Sequence, residues 1–163
     1  MEIRVTPAQQ KQIQPVLMRW YQIHQRRLPW RDSTDPYHIW VSEVMLQQTQ
    51  VNTVVPYFHK FLAAFPAIRD LAEADLDAVL KRWEGLGYYA RARNLHKAAR
   101  QVVSTANGWI PDRFADFKAL PGVGDYIASA VMSIAFGKPH AVVDGNVKRV
   151  LSRLFCLDMP VNH

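Results

Sequence analysis

This sequence predicts an all-α fold, and three observations carry that reading. Apolar residues recur three and four apart through nearly every segment, and no stretch of useful length alternates with period two. Proline, glycine and aspartate punctuate the pattern where helices start and stop.

The elements follow in order. Thr6-Pro7 pairs an N-cap with a first-turn proline, after which Ile13, Val16, Leu17, Trp20 and Tyr21 repeat at helical spacing. The run RRLPWRDSTDPYH reads as a loop set by Pro29, Asp32, Ser33, Asp35 and Pro36. A second helix starts near Pro36 and carries IWVSEVMLQQ; a third covers roughly Val51 to Phe65 and stops before Pro66. Shorter helices fit Ile68–Leu71 and Asp75–Trp83. The turn Gly85-Leu86-Gly87 then leads into a long helix from about Tyr88 to Ala106. A helix at Asp112–Ala119, the turn LPGVG, a helix at Asp125–Phe136 and a last one at Asp144–Phe155 complete the series. After that last helix only LDMPVNH follows, with nothing to pack beside it, so the sequence is expected to be part of a larger protein.

Composition narrows the function classes. Apolar residues make up 49% and charged residues 21% of 163, a balance that excludes a disordered chain. No apolar run reaches the ~20 residues of a membrane-spanning helix, and the polar N-terminal stretch lacks a signal peptide's apolar run. Cys156 stands alone, which rules out a disulfide framework and a cysteine-built metal site within these residues. The expected setting is therefore soluble and cytoplasmic, nucleoid-associated if the source is bacterial. Net charge is +6, and it is unevenly spread. Residues 1–80 hold 8 Lys/Arg against 8 Asp/Glu, while residues 81–163 hold 12 against 6. A basic second half favours a polyanionic partner such as nucleic acid.

Leu120-Pro121-Gly122-Val123-Gly124 links two helices, the second opening at Asp125. Its glycines allow close backbone approach and positive φ, and the N–H groups that start the second helix point outward at the positive end of its dipole. A phosphate oxygen fits there. With small Ala128, Ser129 and Ala130 behind it, the pattern is a helix–hairpin–helix, a clamp for the DNA backbone that reads no sequence. A plain tight turn is the alternative.

Two carboxylates stand in opposite surroundings. Glu43 is the only charge in IWVSEVML, a segment apolar on nearly all sides, where desolvation favours the protonated acid. A glutamate reaching solvent from a narrow exposed stripe is the competing reading. Asp144, in VVDGNV, reads as the N-cap of the helix that follows, and helix N–H groups would keep it ionised. Such a split supplies a proton for a leaving group and a negative charge beside an oxocarbenium-like sugar, which is what cleaving a glycosidic bond requires.

The stretches WVSEVMLQQTQV (40–51), WEGLGYYARARNLHKAA (83–99), LPGVG (120–124) and VDGNVKRVLSRLF (143–155) together resemble the adenine DNA glycosylase (MutY) family, from about Trp20 to Phe155. The endonuclease III branch shares the hairpin and the aspartate but lacks the EVMLQQTQV stretch. The resemblance implies a helix–hairpin–helix DNA glycosylase fold, truncated before its iron–sulfur segment. Residues 1–25 would belong to a cluster-bearing half that resumes at 139–163, and residues 26–138 would form a helical barrel with the hairpin at about 112–137.

The resemblance also implies roles. Glu43 would protonate adenine and Asp144 would stabilise the sugar cation, with Asn146 close to that chemistry. Gln48 and Thr49 would probe the strand carrying 8-oxoguanine, and Leu86 and Tyr88 would wedge beside the damaged base. Arg26 and Trp30 would line the adenine pocket, and Gly122 and Gly124 would clamp a phosphate. Gln48 and Thr49 also read as a helix end, Leu86 as core, Tyr88 as packing against the following helix, and Arg91, Arg93, Lys97 and Arg100 as either phosphate contacts or a solvated face. Tyr126 stands where bifunctional relatives carry a Schiff-base lysine, so base removal without efficient strand cleavage is implied. The expected partner is double-stranded DNA with an adenine mismatch, flipped for access, bound by a monomer. Full-length relatives carry a 4Fe–4S cluster whose cysteine ligands are absent here. The rival readings are a related glycosylase with another target, such as thymine opposite guanine, and a DNA-binding module without catalysis.

Overall fold

The computed structural model describes residues 7–157, with side chains from residue 11 onward. Thr6, expected as the first N-cap, lies outside the described residues. Within them the chain forms nine α-helices and one short 3-10 turn, with no strand. By contacts it divides into two units, residues 28–142 and the pair of segments 1–27 and 143–163.

The larger unit is built around α2 (Pro36–Leu46). Asp35 caps it, accepting the N–H groups of Tyr37 at 2.7 Å and His38 at 3.4 Å, and Pro36 supplies a preset φ at the first position. Its apolar residues surround the axis, and Tyr37 and every residue from Ile39 to Met45 are buried. Such a helix has to be enclosed, and it is. It packs against α3 (Val51–Ala64), α6 (Ala90–Ala106) and α8 (Asp125–Ile134), and against the 3-10 turn at Pro29–Arg31. The buried Tyr37 hydroxyl donates to Phe65 O at 2.9 Å, tying the start of α2 to the end of α3. Trp40 meets Phe117 edge-on, and Phe61 meets Trp83 in the same way.

Shorter helices close the unit. These are α4 (Ile68–Glu73), α5 (Leu76–Trp83) and α7 (Phe114–Lys118); α6 packs on both α4 and α5, while α7 packs on α8. Helix α6 buries Ala92, Leu95, His96, Ala98, Ala99 and Val102 and ends on Asn107 in the left-handed region, with the N–H groups of both Asn107 and Gly108 returning to Val102 O. Arg69 of α4 donates to the carbonyl and side-chain oxygens of Asn107 and holds that cap.

The smaller unit holds α1 (Pro7–His24) and α9 (Gly145–Leu154). Asp144 caps α9 by accepting Val147 N–H. No residue of α9 is buried, and on α1 Val16, Leu17, Met18, Trp20 and Ile23 are all exposed.

Three of the differences from the sequence reading have local reasons. Helix α6 begins at Ala90 rather than Tyr88 because Tyr88 has φ of 48°. Helix α8 ends at Ile134 and the chain turns through Gly137 at φ of 62°. The expected loop after Arg26 tightens into the 3-10 turn, where Arg31 N–H returns to Leu28 O.

Candidate active site

In the larger unit, Glu43 is carried on the last turn of α2 and only 8% of its surface is exposed. Two residues beyond the end of that helix the chain turns sharply. Gln48 adopts φ of 55° and is exposed, and Thr49 N–H returns to Leu46 O. A non-glycine residue pays strain in that region, so neighbours must hold it there.

The Gly85–Tyr88 turn is held in a similar way. Gly85 (φ 100°) and Gly87 (φ 72°) supply conformations that other residues resist, and Tyr88 enters the left-handed region beside them. At Gly85 a Cβ would meet the Tyr57 hydroxyl at 2.2 Å, and that hydroxyl donates to Glu84 O. The Trp83 indole N–H donates to Gly87 O at 3.2 Å. Leu86 points into the core, with 6% exposed, whereas Tyr88 is 62% exposed. Of the two expected wedge residues, only Tyr88 stands out into solvent in this conformation.

The hairpin turn is Leu120–Gly124, between α7 and α8. Val123 N–H closes the turn on Leu120 O, and Gly122 takes φ of 76° with its α-carbon against Asn94. Gly122, Gly124, Asp125 and Tyr126 are exposed, and no side chain caps α8. Its first-turn N–H groups therefore face outward with the positive end of the dipole. Lys118 reaches across to Asp125 at 2.6 Å, placing an internal counter-charge at the helix start. A cavity of about 100 Å³ lies between α2, the start of α6 and this turn, lined by Trp40, Gln47, Arg91, Asn94 and Gly122 among others. Trp30 is buried and packs edge-on against Phe58.

The smaller unit carries Arg26, Asp144 and Asn146. Arg26 is exposed. Asp144 Oδ1 accepts Val147 N–H at 2.7 Å, and Oδ2 accepts the Asn146 side-chain amide at 2.9 Å. Arg149 in turn donates to Asn146 Oδ1 at 2.8 Å, which orients that amide. The Val147 N–H foremost, with the Asn146 amide behind it, holds the Asp144 carboxyl below the usual carboxylate range. Asp144 is thus anionic at neutral pH and fixed in direction.

The most connected polar residue was not singled out from the sequence. Arg91, grouped with Arg93, Lys97 and Arg100, is half-buried while those three are exposed. Its guanidinium serves the end of α2 and both strained turns. The signal was present: Arg91 precedes Leu95, Ala98, Ala99 and Val102 at helical spacing, which places it on the buried stripe of α6.

Among the described residues no group of three or more His, Cys, Asp or Glu is placed to hold a metal ion. An iron–sulfur cluster of the 4Fe–4S type takes four cysteine thiolates, and Cys156 is the one cysteine of this sequence. These residues do not fit that group. No helix among them is long and apolar enough to cross a membrane.

Residues 41–160 match the HhH-GPD superfamily of base excision DNA repair proteins, and the chain belongs to that superfamily. Within it, the chain is similar to proteins named adenine DNA glycosylase. It is 44% identical over 144 residues to that of Buchnera aphidicola subsp. Baizongia pistaciae, covering 88% of this chain and 41% of the relative. It is 49% identical over 148 residues to the human protein, covering 85% of this chain and 27% of the relative. The chain thus spans about two fifths or less of those relatives. Among solved structures, a thermostable thymine-DNA glycosylase superposes with a TM-score of 0.85 at 30% identity, over 94% of this chain and 72% of that one. A non-covalent endonuclease III–DNA complex superposes with a TM-score of 0.79 at 25% identity, over 97% and 74%.

Proposed function

We propose that this chain is the catalytic region of an adenine DNA glycosylase that hydrolyses the N-glycosidic bond of adenine mispaired with 8-oxoguanine or guanine. The observation that carries the reading is the stretch from Trp40 to Val51, which places one carboxyl, Glu43, on an otherwise apolar buried helix that ends in the turn of Gln48 and Thr49. Similarity to proteins named adenine DNA glycosylase runs from 38% to 49%, above the 30% shared with the thymine-DNA glycosylase, and that difference favours adenine as the target base.

In this reading Glu43 is the general acid that protonates the departing adenine. It is carried on a helix whose residues from Ile39 to Met45 are all buried, with only 8% of its own surface exposed. Asp144 carries the negative charge that stabilises the oxocarbenium-like sugar, kept ionised by the Val147 N–H and oriented by Asn146. Water completes the hydrolysis. Tyr126, lacking an amine, forms no Schiff base, so the enzyme is monofunctional. Arg26 and Trp30 serve the adenine pocket, Gln48, Thr49, Leu86 and Tyr88 the lesion side, and Gly122 and Gly124 a backbone phosphate. The partner is mismatched duplex DNA, bound by a monomer, and the whole protein carries the 4Fe–4S cluster on residues other than these.

The test uses the full-length protein that carries this region. Glu43→Gln keeps shape and removes the proton, while Asp144→Asn keeps the cap and removes the charge. Each should slow single-turnover adenine release by about 100-fold or more, with duplex binding retained. Near-wild-type release by both variants would refute the assignment and leave a DNA-binding module without catalysis.

A further inference from the structure

Arg91 stands in the first turn of α6, and its guanidinium faces inward. Nη1 donates to Val44 O at 3.1 Å, to Met45 O at 3.0 Å and to Gln47 O, which are carbonyls at and just beyond the end of α2. Those are the oxygens that a helix end leaves without intrahelical partners. Both Nη atoms lie 3.3 Å from Thr49 Oγ1, and Nη2 donates to Leu86 O and Gly87 O at 3.1 Å each. The same group lies 5.5 Å from the Trp83 ring centre and 5.4 Å from that of Tyr88. Its Nε is buried with no hydrogen-bond partner.

Four of its hydrogens therefore serve six oxygens on two segments about 40 residues apart in sequence. Each segment holds a non-glycine residue in the left-handed region, Gln48 at φ 55° and Tyr88 at φ 48°. Backbone strain of this kind persists only where surroundings over-determine it. Here the two strained turns share one clamp. A lysine would bring the charge but not the planar fork that addresses both sides at once.

We propose that Arg91 is a positioning residue that locks the turn of Gln48 and Thr49 to the turn of Leu86 and Tyr88, so that both meet DNA as one preset surface. The functional meaning rests on the reading of those turns as DNA-facing; the mechanical coupling does not. A shared clamp makes opening of one turn loosen the other. It also charges the end of α2, the helix that carries Glu43, with a favourable cation at the negative end of its dipole.

The test is amide hydrogen exchange in the full-length protein, read at residues 47–49 and 86–88. Arg91→Lys should speed exchange at both segments at least tenfold, while amides in the middle of α2 change less than twofold. Its affinity for a duplex with adenine opposite 8-oxoguanine should fall at least tenfold, with matched-duplex affinity changed less than threefold. A purely structural role would raise exchange throughout the unit and weaken both duplexes alike, and that result overturns the proposal. So does faster exchange at only one of the two segments. Thr49→Val is the milder companion should Arg91→Lys fail to fold. Removing the shared hydroxyl should speed exchange at residues 86–88, and an unchanged rate there counts against the clamp. A wild-type protein that releases no adenine would instead refute the enzymatic reading, and would leave the exchange result standing.

Discussion

Gly122→Ala isolates the hairpin's dependence on one missing Cβ. With φ of 76°, an alanine at this position takes up the left-handed strain of about 1–2 kcal/mol. Its methyl would also lie 2.7 Å from Asn94 Cβ, where carbon atoms prefer about 3.5–4.0 Å. Asn94 is held by α6, so relief requires a backbone shift, and overpacking of this kind costs about 1–3 kcal/mol. Lower entropy of the unfolded chain returns about 0.4–1 kcal/mol. The net loss centres on about 3 kcal/mol, a fall in Tm of about 6–12 °C for a domain of this size. Gly124→Ala is the control within the same turn. Gly124 has φ of −91°, and nothing lies within 4 Å of the Cβ it would gain. Its stability should change by less than about 1 kcal/mol, because the weaker cap and the lower unfolded-state entropy offset one another. Its methyl does stand where a phosphate would approach, so duplex affinity should drop about tenfold and depend less steeply on salt. Thermal melts and salt-dependent binding on both variants decide the matter. Equal stability of the two variants, or a larger loss for Gly124→Ala, would refute the steric reasoning.

Two further outcomes follow from the site. The depressed Asp144 carboxyl contributes stability that is fully present above its unfolded value of about 3.9 and is lost as pH falls through the lower folded value. Asp144→Ala should therefore weaken α9 by about 1 kcal/mol at neutral pH, the ordinary worth of an N-cap, and the gap to wild type should close on acidification. Urea melts at a series of pH values measure it, and a gap that widens in acid would contradict the sign. Tyr126→Lys should add strand nicking to adenine release, trapped by borohydride as a covalent DNA adduct; no adduct would show that an amine at this exposed position does not reach the sugar.

Much of the fold could be read from the sequence because its signals are local. Asp35-Pro36 announced a cap and a first turn, the all-round apolar run after it announced burial, and LPGVG announced the hairpin. Asp144 was legible as a cap for the same reason. What escaped was set by side-chain bonds that no residue type announces. Gln48 and Tyr88 are ordinary residues by composition; the Arg91 bonds beside Gln48 span 42 to 47 residues, and those beside Tyr88 come from Trp83 and Arg91 only four or five positions from the carbonyls they reach. Arg91 itself looked like one of four basic residues on a helix, although its phase with Leu95 and Val102 set it apart. Leu86 was legible as core or wedge, and the structure buries it.

Helix α2 has a consequence for the timing of any reaction at Glu43. Asp35 fastens its first turn, the core encloses its middle, and a guanidinium fastens its last carbonyls. Nothing along it is built to hinge. In the function proposed for Glu43, an acid on so fixed a backbone moves only through its own side-chain torsions, so the longer travel belongs to the nucleotide, which leaves its stack to reach it. On that proposal base extrusion, with its cost of a few kcal/mol in lost stacking and pairing, limits how often the bond can break. A weakened base pair then speeds turnover without any change in the protein, and lesions are sorted by how readily the DNA opens.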